Sequence, residues 1–182
     1  MKIVVAVTAA SGAIYARQLL DRLVANGEVE RVALIYSSNA RAVVEHEGVV
    51  MPSSPKIEEY DNDDMFSAPA SGSARWDAMV VVPSSVGTIG RVASGVSQSL
   101  IERAADVMLK ERRKLVLVVR EAPYSLIHLR NMTTITEAGG IIFPASPSFY
   151  FHPQNIEALT MTVSTRAVEL LGIQVPHREW GK

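Results

Sequence analysis

Short apolar runs alternating with helical patterns constrain this chain more than any other feature. Residues 3–7, 32–36, 78–82, 115–119 and 141–143 are five such runs, rich in Val, Ile and Leu. They are nearly continuous rather than alternating, as in strands buried on both faces. Helix-period segments lie between them. Residues 14–24 place Leu19, Leu20 and Leu23 at helical spacing, and residues 40–47 read as helix. Residues 97–113 carry the apolar stripe Leu100, Ile101, Ala104, Ala105, Met108 and Leu109. A last helix is expected over residues 153–171, stopped by Gly172. This alternation predicts an α/β fold: a Rossmann-like or flavodoxin-like parallel sheet with helices on both faces. In such sheets ligands bind outside the carboxyl ends of the strands. There the sequence concentrates hydroxyls and an Arg-Glu pair.

At 182 residues the chain is expected to be a single domain, residues 1–182, large enough to bury a core without staples. It has no cysteine, which excludes a disulfide framework, a thiol nucleophile and Cys-ligated metal. With 18 basic and 19 acidic residues the net charge is -1, so no electrostatic signal for nucleic acid exists. The first apolar run is too short for a secretory signal and nothing approaches a membrane span, so a soluble, cytoplasmic protein is expected. Residues 51–76, rich in Pro, Ser and Asp, read as an irregular surface excursion with room for a short helix. That segment is either a solvated acidic connection, or an oligomer contact or active-site wall.

The first turn, Thr8-Ala9-Ala10-Ser11-Gly12-Ala13, presents backbone amides at a helix start, which suit an anion or an electron-rich ring edge. It lacks GxGxxG spacing, and the second run ends in Ser37-Ser38 rather than the acidic residue that holds an NAD ribose. Hydroxyls there suit a phosphate, as in a mononucleotide such as FMN. Pro83-Ser84-Ser85-Val86-Gly87-Thr88, after the third run, adds three hydroxyls beside the same strand ends. Each turn reads equally well as an ordinary capped helix start. Within residues 97–113, Glu102, Asp106 and Lys110 recur every four residues and read as solvated helix pairs. Arg103 flanks the apolar stripe, either on the surface or reaching inward to an anion. Arg120-Glu121 directly follows a buried strand, where a charged pair is costly without partners, so function is favoured over a structural ion pair. Tyr150 and Arg166 are candidates to complete a cationic pocket, although each alone is more often structural. Glu45-His46-Glu47 invites a metal, but adjacent helical residues point in different directions. His128, His152 and His177 have no ligand spacing, so no metal is expected.

The stretch LIERAADVMLKERRKLVLVVREAPYSLIHLRNM, residues 100–132, resembles the flavin prenyltransferases of the UbiX group, within the wider superfamily of flavin-containing cysteine decarboxylases. FPASPSFYFHP, residues 143–153, adds to the likeness, and the TAASGA turn and PSSVGT loop stand where that family has TGASGA-like and PCSxGT-like loops. The resemblance implies transfer of a dimethylallyl group from dimethylallyl monophosphate to reduced FMN, without a metal, closing a new ring between N5 and C6 of the flavin. The product, prenylated FMN, would serve a UbiD-type decarboxylase. It also implies a homo-oligomer, a dodecamer built from trimers, with active sites at subunit junctions. By motif position, Ser11 and Gly12 lie at the flavin, Ser37 binds the FMN phosphate, and Ser85, Thr88 and Arg103 complete the FMN site. Lys110, Arg120, Tyr150 and Arg166 hold the donor phosphate, and Trp180 closes the site. Glu47 and Glu121, with Ser11, are the catalytic candidates.

The chemistry suits those residue types. Breaking an allylic C–O bond needs the departing phosphate stabilised, which cations and a phenol do by electrostatic preorganisation. The developing allylic cation needs a dry, π-rich environment. Ring closure needs proton removal, which a carboxylate shares with the phosphate; Glu121 is favoured by its strand-end position. Two positions depart from the family: Ala9 replaces a glycine, and Ser84 stands at the usual cysteine. An alanine at position 9 is strained if that position needs φ > 0. Two other readings share the FMN fold. One is an FMN-dependent peptidyl-cysteine decarboxylase, whose early histidine and PXMNxxMW-like motif are absent here. The other is a non-catalytic FMN-binding accessory subunit.

Overall fold

The computed structural model describes residues 1–176. Its strands are β1 (Lys2–Val7), β2 (Arg31–Tyr36), β3 (Ile57–Tyr60), β4 (Ala78–Ser84), β5 (Lys114–Val119) and β6 (Ile141–Pro144). Its helices are α1 (Ala13–Ala25), α2 (Ala40–His46), α3 (Val86–Ala93), α4 (Leu100–Lys110), α5 (Leu126–Glu137) and α6 (Ile156–Leu170). All strands run parallel in one sheet, ordered β3-β2-β1-β4-β5-β6. That is the Rossmann order rather than the flavodoxin one, and the winding reverses between β1 and β4.

Successive strand residues point to opposite faces, and the core divides accordingly. Ile3, Val5 and Val7 pack with Leu19, Leu20 and Leu23 of α1 and with Val163, Ala167 and Val168 of α6. Val4 and Ala6 pack on the other face with Ile89 of α3, Leu100, Ala104 and Met108 of α4, and Ile135 of α5. Full burial of each Leu or Ile stabilises the fold by about 1.5–3 kcal/mol. The sheet is therefore rigid, and the turns at its carboxyl edge are held in place from both sides.

Residues 51–76 are more ordered than their composition predicts. They contain strand β3, short 3-10 turns at Ala68–Ala70 and Gly72–Ala74, and the buried Trp76. β3 is an edge strand whose exposed Glu58 and Glu59 form ion pairs with Arg31 and Arg41. Charges on an edge discourage pairing with another chain, and the same charges hide the strand from a search for apolar runs. Tyr60 meets Trp76 edge-on at 6.5 Å, and the Arg31 guanidinium lies 5.8 Å from the Trp76 ring centre, which closes the segment down. Helix α5 has no counterpart in the sequence reading, because Leu126, Ile127 and Leu129 on it stay exposed and blur its apolar stripe. The last helix begins at Ile156 rather than residue 153, since Asn155 caps it by accepting from the Ala158 amide at 2.7 Å. Among the described residues no helix is long and apolar enough to cross a membrane.

Candidate active site

The turns after β1 and β4 are joined at the point where the winding reverses. Thr8 Oγ1 donates to the Pro83 carbonyl at 2.7 Å and accepts from the Ser85 amide at 2.9 Å. Ser85 then caps α3, its Oγ accepting from the Thr88 amide at 3.3 Å and lying 3.1 Å from Thr88 Oγ1. Ser85 and Thr88 thus sit together at the carboxyl edge of the sheet. Gly12 opens α1 at φ 110°, and a Cβ there would stand 2.8 Å from the Tyr15 ring. Only glycine fits that backbone and that gap.

The α1 amides already hold an anion, and it comes from the chain itself. Glu47, directly after α2, accepts from Gly12 N at 2.9 Å and from Ala13 N at 2.7 Å. Burial would raise its pKa. The Ser11 hydroxyl, the Gly12 and Ala13 amides and the Arg120 charge outweigh that, and hold the Glu47 carboxyl below its ordinary value. Arg120, just past β5, donates through Nε to the Ser11 carbonyl at 3.2 Å. Its charge also opposes the upward push that burial gives the Tyr15 phenol. Ser11, Gly12, Glu47 and Arg120 therefore form one cluster. Glu121, the next residue in the chain after Arg120, accepts from the Ala122 amide at 3.0 Å.

A polar hollow of 350 Å³ opens at the end of β2, lined by Ser37, Ser38, Asn62, Thr88, Arg91, Gln98, Ser99, Ile101 and Glu102. Glu102 is only 4% exposed, so it is not the solvated helix residue its spacing suggests. It accepts from the amides of Gln98 at 2.9 Å and Ser99 at 3.2 Å and forms an ion pair with Arg91. The Ser-x-x-Glu spacing of a capping box, Ser99 to Glu102, was the available signal for this. Nothing in sequence pointed to Arg91 or Asn62.

The remaining expected residues lie apart. Arg103 donates to the Ala70 carbonyl at 3.0 Å and pairs with Asp106 at 2.7 Å, so it stays on the outer side of α4. Lys110 ends α4 and pairs with Glu111 shortly before β5 begins, whereas Arg120 follows its end. The six residues of β5 separate the two by roughly 20 Å. Arg166 pairs with Glu169 at 2.9 Å in a 540 Å³ cleft beside α6, and the exposed Tyr150 lines an adjoining hollow in the loop after β6 that shares Ser146 and Ser148 with the cleft. Trp180 and His177 lie outside the described residues. Among the described residues Ala9 has no positive φ, so the strain considered for it does not arise; Gly12 takes that conformation. Ser84 is fully buried, and its hydroxyl finds no hydrogen-bond partner among the described residues.

The flavoprotein family model matches residues 1–168. The UbiX flavin prenyltransferase of Methanocaldococcus jannaschii is 42% identical over 100% of this chain and 99% of its own. This chain belongs to the UbiX flavin prenyltransferase family. AnUbiX (PadA1), solved in complex with FMN and dimethylallyl pyrophosphate, is 39% identical and superimposes with a TM-score of 0.87 over 98% of each chain. A dodecameric FMN-dependent UbiX-like decarboxylase from Escherichia coli is 35% identical, with a TM-score of 0.92 over 100% of both chains. Membership of the UbiX family makes the chain a transferase acting on FMN. It sets aside both the cysteine decarboxylase and the non-catalytic accessory subunit.

Proposed function

We propose that this enzyme transfers a dimethylallyl group from dimethylallyl monophosphate to N5 and C6 of reduced FMN, without a metal ion. The observation that carries this reading is the Ser11–Glu47–Arg120 cluster at the β1/β4 reversal, in a chain alike over its whole length to flavin prenyltransferases. The residues present fit FMN: a carboxylate-occupied amide cradle at α1 shows anion capacity, and the neighbouring hollow offers hydroxyls and a cation. Ser37 would take the phosphate of FMN, and Ser11, Gly12, Ser85 and Thr88 would border its ring. When bound, reduced FMN supplies the nucleophilic ring atoms. Arg120, already fixed by the Ser11 carbonyl, presents its charge to the departing phosphate without reorganisation. Glu121 stands at the same strand end to accept a proton during ring closure. Glu47 stays ionised and favours positive charge developing nearby.

Within one chain Lys110 and Arg120 stand at opposite ends of β5, so a donor-phosphate site that holds both draws them from different copies. Leu126, Ile127 and Leu129 on α5, with Phe149 and Ile156, are apolar surface that contacts between copies would bury. A homo-oligomer, in the dodecameric form, follows. The chain, residues 1–182 as one domain, works in the cytoplasm and passes prenylated FMN to a UbiD-type decarboxylase. The test is mass spectrometry of flavin after anaerobic incubation with reduced FMN and dimethylallyl monophosphate. A gain of C5H8 is expected, and unchanged flavin would overturn the reading. Dimethylallyl pyrophosphate in a parallel reaction fixes the donor. A stable monomer at micromolar concentration with full activity would overturn the shared site.

A further inference from the structure

The polar hollow at the end of β2 contains a cation that the FMN site expected from sequence does not include. Arg91 extends from the last turn of α3 to Thr88 Oγ1, and with Ser37 and Thr88 it lines the same 350 Å³ space. We propose that Arg91 is the charged ligand of the FMN phosphate in this enzyme, held in position by Glu102. The proposal rests on the flavin prenyltransferase reading and adds a residue to it.

Three observations support it. First, the backbone amides that would otherwise attract a phosphate are already taken. Gln98 N and Ser99 N donate to Glu102, Leu100 N donates to the Asn62 carbonyl at 2.7 Å, and Ile101 N donates to Asn62 Oδ1 at 3.2 Å. The start of α4 therefore has no free amide to offer a phosphate on that side of the hollow, and Arg91 is the cation among the residues lining it. Second, the guanidinium is pinned without being used up. Its Nε donates to Glu102, and one terminal nitrogen reaches Thr88 Oγ1 at 3.4 Å. A guanidinium has five N–H donors in a rigid fork, so donors remain for a phosphate oxygen. Third, the pair is asymmetric. The Glu102 side chain is 5% exposed and that of Arg91 46%, so the carboxylate is sealed behind the arginine and the positive end faces outward.

The fixed orientation matters because ordering a free arginine side chain on binding opposes affinity. Here Glu102 has already ordered it. The role is one of phosphate binding, so its signature is the difference between FMN and riboflavin, which lacks the phosphate. The experiment titrates wild-type protein and Arg91→Gln with each flavin, following flavin fluorescence. In the wild type FMN binds more tightly than riboflavin. In Arg91→Gln the FMN-to-riboflavin affinity ratio is expected to fall by about tenfold or more, with riboflavin affinity little changed. Arg91→Gln combined with Glu102→Gln removes the buried charge left behind and serves where the single variant fails to fold. Its ratio is also expected to fall, by a smaller factor because the repelling carboxylate is gone. A ratio equal to the wild type in whichever variant folds would overturn the role of Arg91, while prenylation of FMN by that variant would leave the wider reading intact. Failure of the wild type to bind FMN would overturn both.

Discussion

Two helix starts at the carboxyl edge of the sheet are each held by a carboxylate from this chain, and the two are built differently. At α1 the carboxylate is Glu47, which arrives from another element and lies half-buried beside Ser11 and Arg120. At α4 it is Glu102, which belongs to the helix it caps and is almost fully buried behind Arg91. A half-buried carboxylate is open to competition from a ligand for its amides. A buried one with its counter-charge is not, because removing either partner strands the other. The first arrangement suits a site where groups exchange during reaction. The second suits a scaffold that keeps one cation aimed at a ligand.

This contrast predicts that changes around Glu47 act mainly on rate and cost little stability, whereas changes around Glu102 act mainly on stability. The largest effect is expected for Arg120→Ala, which removes a charge aimed at the departing phosphate. Prenyl-transfer rate should fall by about 10²–10³ while the thermal melt stays near wild type. A matching loss of stability would show that Arg120 is structural instead. Next comes Glu102→Ala, which removes the α4 cap and the partner of Arg91. A loss of about 2–3 kcal/mol is expected in urea unfolding. An unchanged midpoint would break the comparison.

Glu47→Ala removes the acceptor from the α1 amides and should cost about 1 kcal/mol. Its pH dependence sharpens the point. The folded pKa of Glu47 lies below 4.5, so the unfolded chain binds the proton more readily. The Glu47 contribution is therefore present above that unfolded value and is lost as pH falls through the lower folded one. Wild type and Glu47→Ala should differ in stability at neutral pH and converge in acid, as read by urea unfolding across the range. The smallest effect is expected for Ala9→Gly. Position 9 needs no positive φ, so glycine relieves nothing and adds only unfolded-state freedom, about 0.4–1 kcal/mol of destabilisation.

The strand runs were legible because each is an apolar segment buried from both sides, a demand that composition must meet. β3 was not, since an edge strand can carry Glu58 and Glu59 on surface-facing positions. The site was legible in part. Ser85 and Thr88 could be placed together because they share one turn, and Gly12 because its backbone demands glycine. Glu102 was misread as solvated because spacing along a helix does not say which side meets a neighbour. Arg91 was invisible, since its meaning depends on a hollow made by three separate segments.

The sequence by itself determined the α/β class, the parallel sheet and the turns at its carboxyl edge, because burial, periodicity and turn chemistry are local demands. Only the tertiary structure decided which charges meet. Glu47 reaches amides 35 residues away, Arg120 reaches a carbonyl 109 residues away, and Lys110, ten residues before Arg120, stands at the opposite end of the sheet. Nearness along the chain fixes distance only within a turn or two, whereas a rigid strand between two cations keeps them apart however close they are in sequence.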